Sequence, residues 1–327
     1  MTIPIESLEV LHENRDEWLI TGGAGYIGSH IAEEFSRLDL PFAIVDNNEV
    51  KLKNRLPSNV VKFLGDIRNT KDLEVIFDNN EFTGVIHLAA LKSVEESQKN
   101  PKVYEETNVD GTRNLLNVMK KKGVKNLVFS STAAVYGETD TGVVTEATKI
   151  DPVSYYGKTK VLSELLIEEA DKDFGLNFVN LRYFNVAGAL NKKLQDDSND
   201  NLIPIVIDKI EKGVSPTIFG SDYPTRDGTA IRDYIHIVDV VGAHLAAVEY
   251  LSKGGTSQTL NIGTGIGTSV LEIVSEILLQ KRSELIPNFI GRREGDIGIV
   301  VADPSKAEDV LGFKARHTLT EMVASVL

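Results

Sequence analysis

The chain has 327 residues, of which 42% are hydrophobic, a formal net charge of −13 and no cysteine. Its length suits one large domain or about two smaller ones, the lack of cysteine excludes disulfides and thiol chemistry, and the acidic balance argues against a broad nucleic-acid surface. Since no apolar run approaches the ~20 residues of a membrane span and residues 1–17 do not resemble a signal peptide, we expect a globular, cytoplasmic protein that binds neither nucleic acid nor membrane.

The first element that carries chemistry is a short apolar strand that ends in glycines. The strand covers residues 18–20, and Gly22, Gly25 and Gly28 come after it, before a helical pattern over residues 31–38. Glycines let the backbone approach a pyrophosphate, and the N–H groups of a helix N-terminus favour its charge. Because this glycine spacing also occurs by chance, its weight depends on the residues of the next strand.

A second strand, over residues 41–45, ends in Asp46, eighteen residues after Gly28. A carboxylate at that position accepts hydrogen bonds from both hydroxyls of an adenosine ribose and repels a 2′-phosphate. We therefore expect NAD rather than NADP as the cofactor. The competing interpretation is a glycine turn followed by an Asp that only caps a strand.

Strands and helices then alternate along the chain. Further strands are predicted over residues 60–64, 84–88, 126–130 and 259–263, with helices over residues 70–77, 103–122 and 161–170 and a capping-box helix from Ser269. This alternation predicts an α/β fold with a doubly wound parallel sheet. Asp66, after the third strand, is placed to hold an adenine amino group or, alternatively, to cap the next helix.

The catalytic candidates are Tyr156 and Lys160, which share one face of a predicted helix. A free tyrosine has a pKa of about 10 and is a poor base. A nearby ammonium, together with the positive ring of oxidised NAD, favours the phenolate, so the pair can accept a proton from a sugar hydroxyl. Thr132, at the end of the preceding strand, can relay that proton, whereas Tyr155 is in the wrong register.

Several motifs together carry a resemblance. The chain is similar to the extended short-chain dehydrogenase/reductase family, above all to its UDP-hexose 4-epimerases. The motifs that carry this similarity are residues 21–28, the Tyr156-x-x-x-Lys160 pair, and residues 87–94, 182–185, 222–236 and 292–296. The similarity runs from about Trp18 to the chain end in the same order. It implies a Rossmann-type NAD-binding domain over residues 18–181, preceded by an arm over residues 1–17, and a mainly UDP-sugar-binding region over residues 182–327, within which the chain crosses back to the sheet.

The resemblance also implies site residues. Catalysis would use Tyr156, Lys160 and Thr132. The implied NAD contacts are Gly22, Gly25, Tyr26, Ile27, Gly28, Asp46, Asn47, Asn48, Glu49, Val50, Lys51, Asp66, Ile67, Leu88, Ala89, Ala90, Leu91, Lys92, Thr107 and Phe184. The implied contacts to the UDP-sugar are Asn185, Asn201, Leu202, Phe219, Arg232, Arg293, Asp296 and Val300.

The arginines among these residues agree with an anionic substrate. Arginine forks such as Arg232 and Arg293 pair with phosphate oxygens, although either alone is more typical of a surface salt bridge. At Thr107 the family usually has Asn, and Asn108 is adjacent. Val300 is intermediate between a bulky Tyr, which restricts the pocket to glucose and galactose, and the small residues that admit N-acetylated sugars.

The implied reaction is 4-epimerisation of a UDP-hexose, UDP-glucose or UDP-galactose, with a UDP-N-acetylglucosamine or dual-specificity epimerase as the alternative. Ala133 and Ala134 stand where dehydratases of the family carry an acid/base pair, which argues against dehydration. The competing hypothesis from another class of protein is a non-catalytic NAD-binding redox sensor, which would need the glycine turn but not the Tyr–Lys pair. We expect no metal site, interpret His87 and His236 as hydrogen-bonded core residues, and expect a homodimer.

The N-terminal arm has Leu8 and Leu11 at helical spacing. This spacing predicts a short helix packed on the surface.

Overall fold

The computed structural model describes the backbone of Thr2–Pro4 and residues 17–139, 141–198, 201–293 and 295–327. The predicted surface helix around Leu8 and Leu11 therefore lies outside the described residues. The strands are β1 Thr2–Pro4, β2 Glu17–Thr21, β3 Phe42–Asp46, β4 Val61–Leu64, β5 Phe82–His87, β6 Asn126–Thr132, β7 Val143–Val144, β8 Asn177–Tyr183, β9 Asn185–Ala187, β10 Thr217–Phe219, β11 Ile231–His236, β12 Gln258–Ile262, β13 Gly267–Ser269, β14 Asn288–Ile290 and β15 Ile299–Ala302.

The α-helices are α1 Tyr26–Arg37, α2 Glu49–Asn54, α3 Thr70–Asp78, α4 Val94–Lys99, α5 Pro101–Tyr104, α6 Gly111–Lys122, α7 Tyr155–Phe174, α8 Leu202–Glu211, α9 Ile237–Ser252, α10 Val270–Gln280, α11 Ser305–Leu311 and α12 Leu319–Ala324. A π-helical segment covers Glu105–Asp110, and 3₁₀ turns cover Ala133–Val135 and Lys192–Leu194. None of the described helices is long and apolar enough to cross a membrane.

Within the described residues, the larger sheet has eight strands in the order β1-β4-β3-β2-β5-β6-β8-β12. All pairs from β1 to β6 are parallel. The chain leaves β2 toward β3 and β4 and then returns to the other side of β2 at β5, so the strand order reverses between β2 and β5. Ligands bind at such reversals in doubly wound sheets. The predicted α/β fold with a doubly wound parallel sheet is confirmed.

Burial explains why these segments are strands. All five residues of β2 are buried, as expected for a parallel strand covered on both faces. Leu19, Phe63, Val85 and Phe129 belong to one core cluster with apolar residues of α3, α6 and α7. Each such side chain stabilises the fold by roughly 1.5–3 kcal/mol through burial.

Two predicted helices differ from the structure. Helix α1 begins at Tyr26, five residues before the predicted start at Ile31, because the glycine turn already has the geometry of a helix N-terminus. The helix predicted over residues 103–122 is interrupted by the π-helical segment Glu105–Asp110. There the carbonyl of Asn108 accepts hydrogen bonds from the hydroxyls of Thr112, at 2.6 Å, and Ser163, at 2.9 Å, contacts that helical periodicity does not encode.

The chain divides into two units. The first comprises the described parts of Met1–Val135, Ser154–Arg182 and His244–Thr259, and the second those of Tyr136–Val153, Tyr183–Ala243 and Leu260–Leu327. In the second unit β13, β11, β15 and β7 pair in that order, β9 pairs with β11, and β10 pairs with β14. Its core packs side chains of α8, α10 and α12.

The strand predicted over residues 259–263 is β12, but it lies at the edge of the larger sheet rather than in the smaller region predicted for it. Side-chain contacts bind it there: the Phe178 N–H donates to Ser257 Oγ at 3.3 Å, and the Asn180 amide donates to Thr259 Oγ1 at 3.2 Å. The predicted capping box at Ser269 is confirmed, with Glu272 as its partner.

Candidate active site

The glycine turn after β2 forms a cradle with room for no side chains. Gly22 has a φ of +69°, and a Cβ there would lie 2.7 Å from the backbone of Ala89. A Cβ on Gly28 would lie 2.6 Å from the Gly22 carbonyl oxygen. The following helix α1 has Gly25 as its N-cap and no side-chain cap, and the N–H groups at a helix N-terminus favour an anion. The cradle fits a dinucleotide pyrophosphate.

Asp46, at the end of β3, closes the cradle on one side. Its carboxylate accepts hydrogen bonds from the Ala24 N–H at 3.0 Å and the Asn48 N–H at 2.9 Å. Burial raises the pKa of Asp46, while these two N–H groups act in the opposite direction. Asn48 also caps α2 through Lys51, and the side chains of Asn47, Asn48, Glu49 and Val50 are exposed while Lys51 is half-buried.

Asp66 does not cap α3, so the alternative interpretation as a helix cap is wrong. Asn69 is that cap, because its side chain accepts from the Lys71 N–H. The Asp66 carboxylate instead pairs with the Arg68 guanidinium at 2.6 Å and accepts from the Asn47 amide at 3.2 Å. Arg68 holds the pKa of Asp66 at about 2. The next residue, Ile67, is buried.

The segment from Leu88 to Lys92 leaves the end of β5, next to the glycine turn. The Leu88 N–H donates to the Thr21 carbonyl at 3.1 Å. Asn108 holds the far end, since its amide oxygen accepts from the Leu91 N–H at 2.8 Å and its amide nitrogen donates to the Leu91 carbonyl at 3.0 Å. Ala89 and Ala90 between them are half-buried, and Lys92 is exposed.

The structure thus makes Asn108, rather than the neighbouring Thr107, the residue that fixes this segment. Asn108 is buried and also donates to Thr159 Oγ1 at 3.0 Å. The π-helical segment contains both residues. Thr107 itself is half-buried.

Tyr156, Lys160 and Thr132 come together in the first unit. Ser154 caps α7 by accepting from the Gly157 N–H, so Tyr156 lies in the first helical turn and Lys160 in the next. The Thr132 hydroxyl lies close enough to Tyr156 to lower its pKa. Lys160 Nζ donates to the Ser130 carbonyl at 2.7 Å and lies 4.8 Å from the centroid of the Phe129 ring.

Desolvation sets the charge states of this group. It raises the pKa of Tyr156 to about 12, against the smaller opposite effect of the Thr132 hydroxyl, and lowers that of Lys160 to about 7, against the opposite effect of Glu164. The expected depression of the Tyr156 pKa refers to the state with oxidised NAD bound, and it stays a prediction. Burial also keeps His87 neutral, with its pKa at about 3, between the hydroxyls of Thr21 at 2.7 Å and Thr112 at 3.0 Å. His87 is a hydrogen-bonded core residue, as interpreted.

A buried ion pair between Glu164 and Arg182 lies next to Lys160, and its carboxylate raises the pKa of Lys160. Glu164 and Arg182 are only 4% and 6% exposed, and the guanidinium reaches the carboxylate through bonds of 2.6 Å and 3.0 Å. The Ser131 hydroxyl also donates to Glu164. The i,i+4 spacing of Lys160 and Glu164 is visible in the sequence, but that Arg182 on β8 pairs with Glu164 is seen only in the structure.

In the second unit the predicted nucleotide-binding residues lie on short strands, at the start of α8 and between β14 and β15. Arg232 on β11 is the register partner of Val300 on β15, and its guanidinium donates to the carbonyls of Ile231 at 2.9 Å and Gly298 at 3.4 Å. Arg293 lies over the Phe219 ring at 3.7 Å from its centroid.

The remaining residues of the set lie at the start of β9, at the start of α8 and between β14 and β15. Asn185, exposed at the start of β9, pairs in register with Tyr234. Asn201 is the N-cap of α8, which begins at Leu202, and its amide donates to Asp196. The Asp296 N–H donates to the Arg293 carbonyl at 3.3 Å. Phe184, which belongs to the predicted NAD contacts, is buried after β8.

Neither Arg232 nor Arg293 forms an ion pair with a carboxylate among the described residues. The salt-bridge interpretation of either arginine alone therefore does not hold in the described part of the chain. Two cationic groups that form no ion pair with the described carboxylates of an acidic protein are suited to an anion such as a diphosphate.

Comparison with known proteins gives the family. The model of the NAD dependent epimerase/dehydratase family matches residues 18–263. The chain belongs to this family. A UDP-glucose 4-epimerase of Lacticaseibacillus casei is 37% identical over 303 residues, which cover 91% of each chain.

Solved structures of the epimerase/dehydratase family extend the likeness to the whole fold. A UDP-glucose-4-epimerase of Stenotrophomonas maltophila, crystallised with NAD and formylated UDP-arabinopyranose, superposes with a TM-score of 0.90 at 38% identity, covering 95% of this chain and 97% of that one. A UDP-glucose 4-epimerase of Bifidobacterium longum in complex with NAD+ and UDP gives a TM-score of 0.87 at 35% identity, covering 95% and 97%. The resemblance inferred from the motifs is confirmed.

Proposed function

We propose that this protein is an NAD-dependent isomerase that interconverts UDP-glucose and UDP-galactose by inverting C4 of the hexose. The observation that carries the proposal is that Thr132 lies close to Tyr156, which precedes Lys160 by one turn of α7, in the same unit as the glycine cradle. Membership in a family of epimerases and dehydratases agrees with it. A redox sensor would need the cradle alone.

The proton transfer is divided between two hydroxyl groups. Thr132 hydrogen-bonds the 4-hydroxyl of the hexose, and Tyr156 takes its proton as C4 is oxidised to a ketone. NAD, when bound, would supply two things: an acceptor for the hydride from C4, which it later returns to the sugar, and a positive charge on its oxidised ring. Because the pKa of Tyr156 is about 12 in the protein alone, a positive charge is required before the tyrosine acts as a base near neutral pH.

Lys160 contributes in two ways. Its ammonium, held by the Ser130 carbonyl, would stabilise the phenolate of Tyr156 while the proton is away. Its own pKa of about 7 means that the charge depends on the neighbouring Glu164 carboxylate. When the 4-keto sugar is reduced on its opposite face, Tyr156 returns the proton.

Rotation of the 4-keto sugar requires an anchor outside the hexose. Arg232 and Arg293 would hold the diphosphate, and Asn185, Asn201, Leu202, Phe219 and Asp296 the remainder of the nucleotide. Strong contacts to the hexose would oppose the rotation, so the binding energy is best placed on UDP. In this proposal residues 18–181 mainly bind NAD and residues 182–327 mainly bind the UDP-sugar.

A second substrate class is favoured by one observation. Val300 is the register partner of Arg232, and its side chain is smaller than a tyrosine. More room at this position would admit an N-acetyl group, so UDP-N-acetylglucosamine and UDP-N-acetylgalactosamine are the alternative or additional substrates.

We further infer a homodimer. Val103 on α5 and Leu162 and Leu165 on α7 are 44%, 41% and 49% exposed, and apolar positions on neighbouring helices are suited to a second copy of the chain. Sedimentation equilibrium would then give twice the 35.9 kDa of one chain. A monomer at micromolar concentration would contradict the inference.

The direct test of the proposed activity supplies no cofactor. Purified protein is incubated with UDP-galactose and, separately, with UDP-N-acetylgalactosamine, and the products are resolved. Conversion of the first alone gives a glucose-type epimerase, and conversion of both makes Val300 a permissive position. No conversion of either, even with added NAD, would contradict the epimerase proposal and favour a net oxidoreductase or a sensor.

A further inference from the structure

The backbone N–H of Tyr156 has its hydrogen-bond acceptor on another helix. Tyr156 is the second residue of α7, a position whose N–H has no acceptor within its own helix. The Ser154 hydroxyl serves the next N–H, that of Gly157, at 3.0 Å. The Tyr156 N–H donates instead to the hydroxyl oxygen of Ser97, on α4, at 3.0 Å. The residue proposed as the base is therefore bound to α4 through its backbone.

The geometry of Ser97 fixes the direction of this bond. Ser97 is 0% exposed. A serine hydroxyl has one proton, and Ser97 donates it to the Val94 carbonyl at 2.6 Å. Its oxygen is thus left as the acceptor for the Tyr156 N–H. Both hydrogen-bonding functions of this buried hydroxyl are used.

Helix α4 directly follows the segment that is implied to contact NAD. That segment ends at Lys92, Ser93 is the N-cap of α4, and Ser97 lies one turn farther on. Asn108 holds the same segment through both backbone groups of Leu91. Ser97 therefore joins the backbone of the base to the helix that continues the cofactor segment.

The carbonyl of Tyr156 is held as well. It accepts from the Thr159 hydroxyl at 2.8 Å, and the Thr159 oxygen accepts from the Asn108 amide at 3.0 Å. Both polar backbone groups of Tyr156 are thus fixed, the carbonyl within α7 and the N–H by Ser97. Without the Ser97 hydroxyl, the N–H would lose the acceptor that it has from outside α7.

We propose that Ser97 is a positioning residue for the proton transfer, which holds the backbone of Tyr156 so that its phenol keeps its place one turn before Lys160. This inference rests on the proposed function. Ser97 acts through Tyr156 and needs no contact with the substrate. Since a displacement of about 1 Å can cost roughly a hundredfold in rate, one bond to the backbone of the base is expected to control kcat.

The test compares Ser97→Ala with wild-type enzyme that keeps its bound NAD. Initial rates with UDP-galactose between pH 5 and pH 10 give kcat and KM, absorbance gives bound NAD, and thermal unfolding gives stability. We expect kcat to fall roughly 10- to 100-fold, while KM and the NAD content stay unchanged, because the hydroxyl is not part of the proposed UDP and NAD contacts.

The pH profile separates positioning from mere stability. As the base, Tyr156 acts after losing its proton, so kcat rises with pH on the acid limb. A phenol displaced from the Lys160 ammonium and from the positive ring of bound NAD loses its proton less readily. The acid limb of Ser97→Ala should therefore shift to higher pH.

Ser269→Ala is the matched control. Ser269 is also 0% exposed, and its hydroxyl oxygen also accepts a backbone N–H at a helix start, that of Glu272 at 3.1 Å. It caps α10 in the second unit and is not one of the proposed site residues. We expect this variant to lose stability and to keep the wild-type kcat and acid limb.

A second variant, Ser97→Cys, keeps a side chain of similar size with a weak sulfur acceptor. We expect its kcat to lie between those of Ser97→Ala and the wild type. It also replaces Ser97→Ala in the comparison if the alanine variant does not fold.

Each failure has its own signature. If the wild type does not convert UDP-galactose, the proposed function is wrong and this inference is wrong with it. If the wild type is active and folded Ser97→Ala keeps its kcat and an unshifted acid limb, Ser97 only joins α4 to α7 and the inference is wrong, even if the melting temperature falls. If only Ser97→Cys folds, a wild-type kcat and an unshifted acid limb in that variant overturn the inference.

Discussion

Replacing Glu164 by glutamine tests how the charge of Lys160 is maintained. Glu164→Gln keeps the shape of the side chain and one oxygen acceptor, but it removes the negative charge that faces Arg182 and acts on Lys160. The Arg182 guanidinium then remains in the core without the Glu164 carboxylate.

The structure sets the size of the effect. Both partners are at least 94% buried, and breaking such a pair by removing one member costs about 3–5 kcal/mol. Since glutamine retains one acceptor, we expect the lower value, about 3 kcal/mol, which corresponds to a fall in melting temperature of about 6–12 °C. Combining it with Arg182→Met, which removes the unpaired charge, should cost less than the sum of the two single variants.

The catalytic effect has a defined sign. Glu164 raises the pKa of Lys160, so neutralising it lowers that pKa further below its wild-type value of about 7. Lys160 then loses its proton at a lower pH, and the alkaline limb of the rate profile shifts to lower pH. Glu169→Gln, an exposed position on the same helix, is the control.

Urea unfolding and initial rates between pH 5 and pH 10 measure both effects. A Glu164→Gln variant as stable as Glu169→Gln would refute the energetic reasoning. An unshifted alkaline limb would refute the assignment of that limb to Lys160.

Three further predictions concern the cradle, the base and the substrate. Gly22→Ala places a Cβ 2.7 Å from the Ala89 backbone at a φ of +69°, so we expect the free energy of unfolding to fall by about 2–4 kcal/mol and less NAD to co-purify. The control Gly123→Ala, at φ +71° in open space, should lower the free energy of unfolding by only about 1 kcal/mol. Equal losses would contradict the steric account. Tyr156→Phe should lower kcat by roughly 10²- to 10⁴-fold while absorbance spectra still show bound NAD. Unchanged turnover would exclude Tyr156 as the base. Val300→Tyr should lower kcat/KM for UDP-N-acetylgalactosamine at least roughly tenfold relative to UDP-galactose; an unchanged ratio would show that the position does not control the sugar.

Local sequence signals predicted the parts of the fold that local physics determines. The glycine spacing after residues 18–20 indicated the turn, and its φ and close contacts explain why no other residue fits. The spacing of Tyr156 and Lys160 placed both side chains on one helix, which the structure confirms for α7.

The features that depend on distant contacts could not be predicted. The π-helical segment depends on Asn108, which contacts Leu91 and Thr159 from elsewhere in the chain. The raised pKa of Tyr156 comes from burial, which no local pattern reports. The place of β12 at the edge of the larger sheet likewise depends on pairing across nearly eighty residues.

The central claim is that the hydrogen removed from C4 returns to the same sugar. UDP-galactose carrying deuterium at C4 is incubated with the protein in ordinary water, with no added cofactor, and the UDP-glucose formed is examined by mass spectrometry and NMR. We expect the product to keep its deuterium at C4. Product with hydrogen at C4 would mean exchange with solvent or with a free cofactor, and would contradict the claim.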